Sequence, residues 1–433
     1  MISSQILLAY EGSIKYVAQN ISCYCVDPIS DFTRRRKLPE DILLKLIIQM
    51  QDKNSNSELC DFFEDCDKIP TSSALIQQRN KLLVSAFKKI DSLLINSFVD
   101  DYKKYKDYFI LAADGSDINI SFDPNDKETY RENGRNKPYS QFHLNALYDC
   151  LNDIYWDYSI DTATKKRECD ALKEMAMNHN YPSESIITID RGYEKYALIT
   201  YFIENKQKFL MRVKDITSST SILTNINFTK EEFDADIVKK LTNKQTNETK
   251  SGHYTILTGD TTIDYFNEDG FYDLKLRVIR FKLTEDTYEC LITNLDRDEF
   301  STEELKEMYN KRWSIECSFC QLKYSVPMIY FHSKSRRLIQ QEIAASILLF
   351  NLTKLLDSAV DVKEAADSKQ GKYEYMINFT VSVTNIRKWI QGLITDEELI
   401  KRLKKYLVPK RPDRSYKRDV KPQAYKHIAH RVS

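Results

Sequence analysis

The spacing of apolar side chains divides the chain into a helical beginning, a strand-rich middle and a helical end. Near the start, a basic loop through Arg34, Arg35, Arg36 and Lys37 closes at Pro39, and residues 41–50 then repeat apolar positions at helical intervals. A shorter helix is expected at 57–64. Pro70, Thr71, Ser72 and Ser73 supply a turn and N-caps for a longer one, which carries Arg79, Lys81, Lys88 and Lys89 among Leu82, Leu83, Phe87 and Ile90. Helix, short turn and basic helix is the order of a helix-turn-helix DNA reader, and equally of a plain three-helix bundle. This helical stretch reads as separate from the strand-rich middle.

From Tyr108 the period changes. Residues 109–113 form an unbroken apolar run of buried-strand length that ends at Asp114-Gly115-Ser116. Residues 142–149 alternate, with Phe142, Leu144, Ala146 and Tyr148 on one face and His143, Asn145, Leu147 and Asp149 on the other. That strand continues toward Tyr158 through a turn at 151–153. After a helix at 165–179, residues 185–189 make a second buried strand ending at Asp190-Arg191-Gly192-Tyr193, and a helix at 194–205 leads to a strand at 208–213. Strand, strand, helix, strand, helix, strand indicates an α/β sheet with mixed pairing. Strand-like runs at 254–257, 274–283 and 288–293, with a turn at 267–270, make residues 215–299 β-rich.

Ser301 and Glu304 form a capping box that starts the next helix. At about 100° per residue, Tyr309, Arg312, Glu316 and Lys323 share an arc of roughly 60°, while Met308, Ile315, Phe319 and Leu322 fall on the neighbouring arc and face a core. One carboxylate is thus held between two cations and a phenol. Residues 338–358 read as an apolar helix covering the sheet, and 376–406 as two more helices. From 401 to 433 there are twelve Lys or Arg against two Asp, with Pro409, Pro412 and Pro422 among Tyr406, Tyr416 and Tyr425. Such a tail suits contact with a DNA backbone, or mere solubilisation.

Composition changes this picture in three places. With 433 residues, 42% of them hydrophobic, the chain can bury a large core. Its 64 basic and 64 acidic side chains balance, so any surface that attracts nucleic acid must be local. The nine cysteines are odd in number and scattered, with no secretory leader, which fits a reducing cytoplasm. Cys317 and Cys320 have no second pair at zinc-ligand spacing and read as packing thiols. Apolar runs such as 347–350 are far too short to span a bilayer.

Asp114 and Asp190 stand at the carboxyl ends of two buried strands, where open α/β sheets place their chemistry. Each has a glycine within two residues, in a chain with only nine. With Glu316 they make three carboxylates on separate elements. Acids without a histidine or cysteine cluster suit a hard cation, magnesium or manganese, and phosphoryl transfer rather than redox chemistry. Two such ions about 3.5 to 4 Å apart activate an attacking oxygen and neutralise the leaving one.

These residues resemble the DDE transposases of bacterial insertion sequences, in the group with a Tyr-x2-Arg-x3-Glu-x6-Lys signature, insertion-sequence family four. Tyr309, Arg312, Glu316 and Lys323 match that spacing without a gap. Ala113-Asp114-Gly115-Ser116 resembles the first acidic motif and Asp190-Arg191-Gly192-Tyr193 the second. The resemblance implies an α/β fold: a ribonuclease-H-like mixed sheet flanked by helices, interrupted by a β-rich insertion. The corresponding division is a helical N-terminal DNA-binding domain at 1–105, catalytic core at 106–214, insertion at 215–299, the rest of the core with the Glu helix at 300–358, and a helical region with a basic tail at 359–433.

It further implies Asp114, Asp190 and Glu316 as the catalytic, metal-binding triad for a pair of Mg2+ or Mn2+ ions. Tyr309, Arg312 and Lys323 would contact transposon-end DNA near the cleaved phosphate. Trp313 would stack on an unpaired base, although its position also fits a partly buried structural tryptophan. The implied partners are double-stranded DNA, as terminal inverted repeats and as target, and a second copy of the chain in a synaptic complex, in the bacterial cytoplasm at the nucleoid and away from membranes. Two rival readings stay open: a catalytically inert, transposase-derived repressor, and a metal-dependent nuclease of the same fold without strand transfer. Asp117, Asp149 and Asp161 are competing acids near the expected site.

Overall fold

The computed structural model describes residues 2–34, 37–63, 65–132, 137–165, 167–224, 226, 231–251, 254–284, 287–362 and 374–409. Arg35 and Arg36 of the basic loop, and the expected basic tail from residue 410 on, lie outside them. Helices α1 (Ser3–Gln19), α2 (Glu40–Gln49), α3 (Ser55–Phe62), α4 (Ser72–Arg79) and α5 (Ser85–Asn96) open the chain. Asn54 and Thr71 cap α3 and α4 by accepting from the N–H of Ser57 and Ala74. The long basic helix expected after Thr71 is two helices, α4 and α5.

The middle of the chain contributes β1 (Phe109–Ile120), β2 (Tyr130–Arg131), β3 (Tyr139–Asp149), β4 (Ile154–Thr162), α6 (Glu168–Asn178), β5 (Ser185–Ile189), α7 (Tyr196–Glu204) and β6 (Lys208–Val213). Next come β7 (Phe233–Thr242), α8 (Asn247–Ser251), β8 (Tyr254–Ile256), β9 (Phe271–Thr284) and β10 (Thr287–Thr293). All ten strands join one sheet in the order β2-β3-β1-β5-β6-β10-β9-β7-β8, with β4 also on β3. β1, β3 and β4 are antiparallel neighbours, whereas β5 and β6 run parallel to β1. The β-rich stretch therefore extends this sheet, because β10 pairs antiparallel with β6. β7 has no counterpart among the expected strands; its lysines and acids break the apolar run that marks the others.

The chain ends in α9 (Thr302–Lys311), α10 (Trp313–Tyr324), α11 (Arg336–Ala359), β11 (Tyr375–Ile377), α12 (Phe379–Ile390), α13 (Asp396–Lys405) and β12 (Leu407–Pro409). Helix α11 is the axis on which the first helices pack. Ile6 and Tyr10 of α1, Leu43 and Ile47 of α2, and Ile90 and Leu94 of α5 are buried in one cluster with Ile343, Ile347 and Leu352. The beginning of the chain is thus continuous with the rest of the core rather than separate from it. Arg79 is buried and donates to Glu342 at 2.6 Å and to the Leu338 carbonyl at 2.9 Å, while Lys88 donates to the Tyr158 carbonyl. Both side chains are committed to packing, which removes them from the basic face that a helix-turn-helix reader would need. Among the described residues, no helix is long and apolar enough to cross a membrane.

Alternation along the strands separates two faces. Ile110, Ile186, Leu210 and Leu291 form one cluster with Leu305, Met308 and Tyr309 of α9. Leu111, Ile187 and Phe209 belong to the larger cluster that contains Ile315, Phe319 and Leu322 of α10. The chain thus passes from one cluster to the other between α9 and α10, at Arg312.

Candidate active site

Strands β1 and β5 run side by side in register from Phe109 with Ser185 to Ala113 with Ile189. Asp114 and Asp190 each follow the last registered residue. Two carboxylates therefore leave adjacent strands at the same level, where backbones are about 4.8 Å apart. β1 does not stop at Asp114, as the apolar run suggests, but continues to Ile120 along β3 with Asp114 opposite Ala146. Asp190 accepts from the Gly192 N–H at 2.6 Å and caps a single turn of 3-10 helix, Arg191–Tyr193.

Arg312 closes α9 and opens α10. Its N–H bonds to the Tyr309 carbonyl and its own carbonyl accepts from Ile315, both three residues apart, so the helix tightens here. Its guanidinium is buried, with 5% of the side chain exposed. One terminal nitrogen donates to Asp114 Oδ2 at 3.3 Å and the other to Glu316 Oε1 at 3.2 Å. The rings of Tyr309 and Trp313 lie 5.8 and 5.5 Å from its central carbon, within cation–π range. One cation thus ties the β1 acid to the α10 acid across most of the domain's sequence. Burial pushes the Asp114 carboxyl up, the Gly115 N–H and Arg312 oppose this, and Asp190 and Glu316 push it up further. Lys323, near the end of α10, donates to Ser116 Oγ at 2.7 Å, and burial draws its ammonium below the usual range.

The fold thus gathers Asp114, Asp190, Glu316, Arg312 and, through Ser116, Lys323. Tyr309 is placed differently from its wheel position: it is 3% exposed in the α9 cluster, and burial pushes its phenol to about 12. Trp313 is 47% exposed, so it is partly buried, as the structural reading has it, with a face left open to solvent. Cys317 and Cys320 are exposed too and are not packing thiols. Of the competing acids, Asp149 is buried and caps the β3–β4 turn through the N–H groups of Leu151 and Asn152. Asp161 accepts from Asn145 and Ser159. Asp117 meets His143 Nδ1 at 2.7 Å.

Sequence reasoning missed His143 and Glu168, whose contact is 3.1 Å at His143 Nε2. Alternation in β3 marked the face of His143, but nothing local in the sequence links it to the first residue of α6. Among the described residues, no three His, Cys, Asp or Glu side chains already stand at the spacing of one ion's ligands. The donor chemistry nevertheless fits a divalent metal. The donors are carboxylate oxygens from three elements, and burial, to which the charges of Asp190 and Glu316 add, raises Asp114 even with Arg312 present.

The family described as transposase DDE domain matches residues 105–352, from just before β1 into α11. That is more than half of the chain, and the chain belongs to this family of DNA-cleaving, phosphoryl-transferring enzymes. Comparison with curated protein sequences gives no match. Among solved structures, the chain is similar to a piggyBac transposase in a cryo-EM structure of its synaptic complex with hairpin DNA, at 12% identity and a TM-score of 0.45, over 92% of this chain and 81% of that one.

Proposed function

We propose that the chain is the transposase of a bacterial insertion sequence of family four, acting in the cytoplasm on its own terminal inverted repeats. Asp114, Asp190 and Glu316 serve as its catalytic acids. The observation that carries this reading is Arg312, whose two terminal nitrogens meet Asp114 and Glu316 beside the strand end that bears Asp190. A ribonuclease-H-like core is supported by the antiparallel β1, β3 and β4 followed by the parallel β5 and β6. The remaining division is a helical DNA-binding region at 1–105, an insertion at 215–299 and a basic C-terminal region at 359–433.

Asp114, Asp190 and Glu316 would hold a pair of Mg2+ or Mn2+ ions, which would supply Lewis-acid polarisation of the scissile phosphate and a more acidic attacking water. The chain's own residues do the rest. The Arg312 fork and the Lys323 ammonium hold phosphate oxygens. The exposed Trp313 offers a face on which an unpaired base stacks. Tyr309, buried behind Arg312, orients the guanidinium rather than reaching far into DNA. The same centre first cleaves a strand and then directs the freed 3′-hydroxyl at a second phosphodiester. Two copies of the chain would pair two transposon ends, with the basic tail adding salt-sensitive backbone contact.

The test is incubation of the full chain with end-labelled terminal-repeat DNA and Mn2+. Joined products are expected. Binding without cleavage would favour the repressor, and cleavage without joining the nuclease.

A further inference from the structure

We propose that Glu168 is a fourth carboxylate of the cation site, a proposal that rests on the assignment of Asp114, Asp190 and Glu316 as its acids. Glu168 opens α6, an element that carries none of those three. Its two oxygens lie against the two glycines that follow the strand-end aspartates. A Cβ placed on Gly115 would stand 3.0 Å from Glu168 Oε1, and one on Gly192 would stand 3.9 Å from Glu168 Oε2 and 2.9 Å from Asp190 Oδ1. The missing side chain of Gly115 leaves the space into which this carboxylate reaches, and Gly192 leaves room for Asp190.

Its orientation is held from behind. His143, 1% exposed on β3, touches Glu168 Oε1 through Nε2 at 3.1 Å and Asp117 Oδ1 through Nδ1 at 2.7 Å. Gly115 is required here as well, because a Cβ would come within 2.3 Å of His143 Nε2. An imidazole anchored at Nδ1 by Asp117, with Nε2 against Glu168, positions that carboxylate in the way outer-shell partners orient metal ligands. The Glu168 side chain keeps 29% exposure, so it stays accessible from the cleft. Tyr193 is buried nearby, and burial first, then the charges of Glu168, Asp114, Cys169 and Asp190, push its phenol well up. An independent sign that this site takes a ligand is a buried donor left open beside its acids. Among the described residues, Arg312 Nε, on the guanidinium that meets Asp114 and Glu316, lacks a hydrogen-bond partner.

A fourth oxygen donor on the Asp114–Asp190 side gives two cations enough carboxylates to share without relying on Glu316 for both. If Glu168 served only as a counter-charge to His143, Glu168→Asp, which keeps that charge, would leave cation affinity unchanged.

The experiment is a Mn2+ titration of the full chain, without DNA, reading free Mn2+ by electron paramagnetic resonance for wild type, Glu168→Gln, Glu168→Asp and Asp114→Asn. Glu168→Gln is expected to weaken Mn2+ binding by about tenfold or more, with an unchanged far-UV circular dichroism spectrum. Glu168→Asp keeps the charge but withdraws it by one methylene, should weaken binding as well, and carries the test if the glutamine variant does not fold. Wild-type affinity in both Glu168 variants, alongside loss in Asp114→Asn, would overturn the fourth-acid proposal and leave the triad intact. Wild-type affinity in Asp114→Asn would sink the triad itself.

Discussion

At the scale of single residues, Arg312 is where the fold and the proposed chemistry meet. Its planar fork spans two acids from different elements, which a lysine ammonium cannot do. Arg312→Ala should lower single-turnover cleavage of terminal-repeat DNA by about 10²–10³-fold, the usual cost of removing one preorganised donor; Arg312→Lys should recover only part of this. Asp114 gives the complementary prediction. Burial and the neighbouring Asp190 and Glu316 raise its carboxyl in the fold, so the folded protein binds that proton more readily than the unfolded chain. Ionising Asp114 therefore costs stability as pH rises above the ordinary carboxylate range. Asp114→Asn should abolish cleavage yet raise the melting temperature at pH 7 by about 2 °C, a gain that shrinks on acidification. Asp114 and Asp190 were legible in the sequence because each ends an apolar run beside a glycine. Tyr309 was not, because the wheel assumed one uninterrupted helix, and the tightened turn at Arg312 changes the phase between α9 and α10.

At the scale of elements, the helices of the first segment are locked to α11 by a buried polar network. His332 Nδ1 lies 3.1 Å from Glu342 Oε2, its Nε2 lies 3.6 Å from Glu58 Oε1, and Arg79 holds the other Glu342 oxygen. Burial pulls the His332 imidazole down, but hydrogen bonds and charge from Glu342 and Glu58 outweigh it and push the group to about 9. Because the folded value exceeds the usual 6.5, this stabilisation is full below pH 6.5 and is lost as pH rises through 9. His332→Leu should destabilise the protein by about 3–5 kcal/mol at pH 6, and far less at about pH 9.5, as read by urea unfolding at the two pH values. Nothing in the sequence announced this network. Glu58 was an ordinary helical acid and Arg79 a candidate DNA contact until tertiary packing buried both.

At the scale of the whole molecule, the sheet and α11 act as one scaffold. Residues 1–105 cover apolar positions of α11 that would otherwise face water. A fragment starting at residue 106, although it contains almost the whole family match, should not yield a soluble, cooperatively melting protein. Expression followed by thermal circular dichroism checks this, and a stable fragment would show that the first helices are dispensable for folding. The β-rich stretch was visible in the sequence as strand-like runs, but its joining to β6 through β10 was not. Pairing between strands so distant in sequence is set by packing and register, which periodicity does not encode.

The sequence by itself determined where strands end in acids, where the capped helix begins and which residues share the Tyr-Arg-Glu-Lys spacing, because backbone periodicity, caps and turns depend on near neighbours along the chain. Only the tertiary structure decided that Arg312 stands between Asp114 and Glu316, that Tyr309 and Arg79 are buried while Trp313 is exposed, and that Glu168 reaches the two glycines at the strand ends. Those facts are distances between elements, fixed by how faces bury against one another rather than by any local pattern.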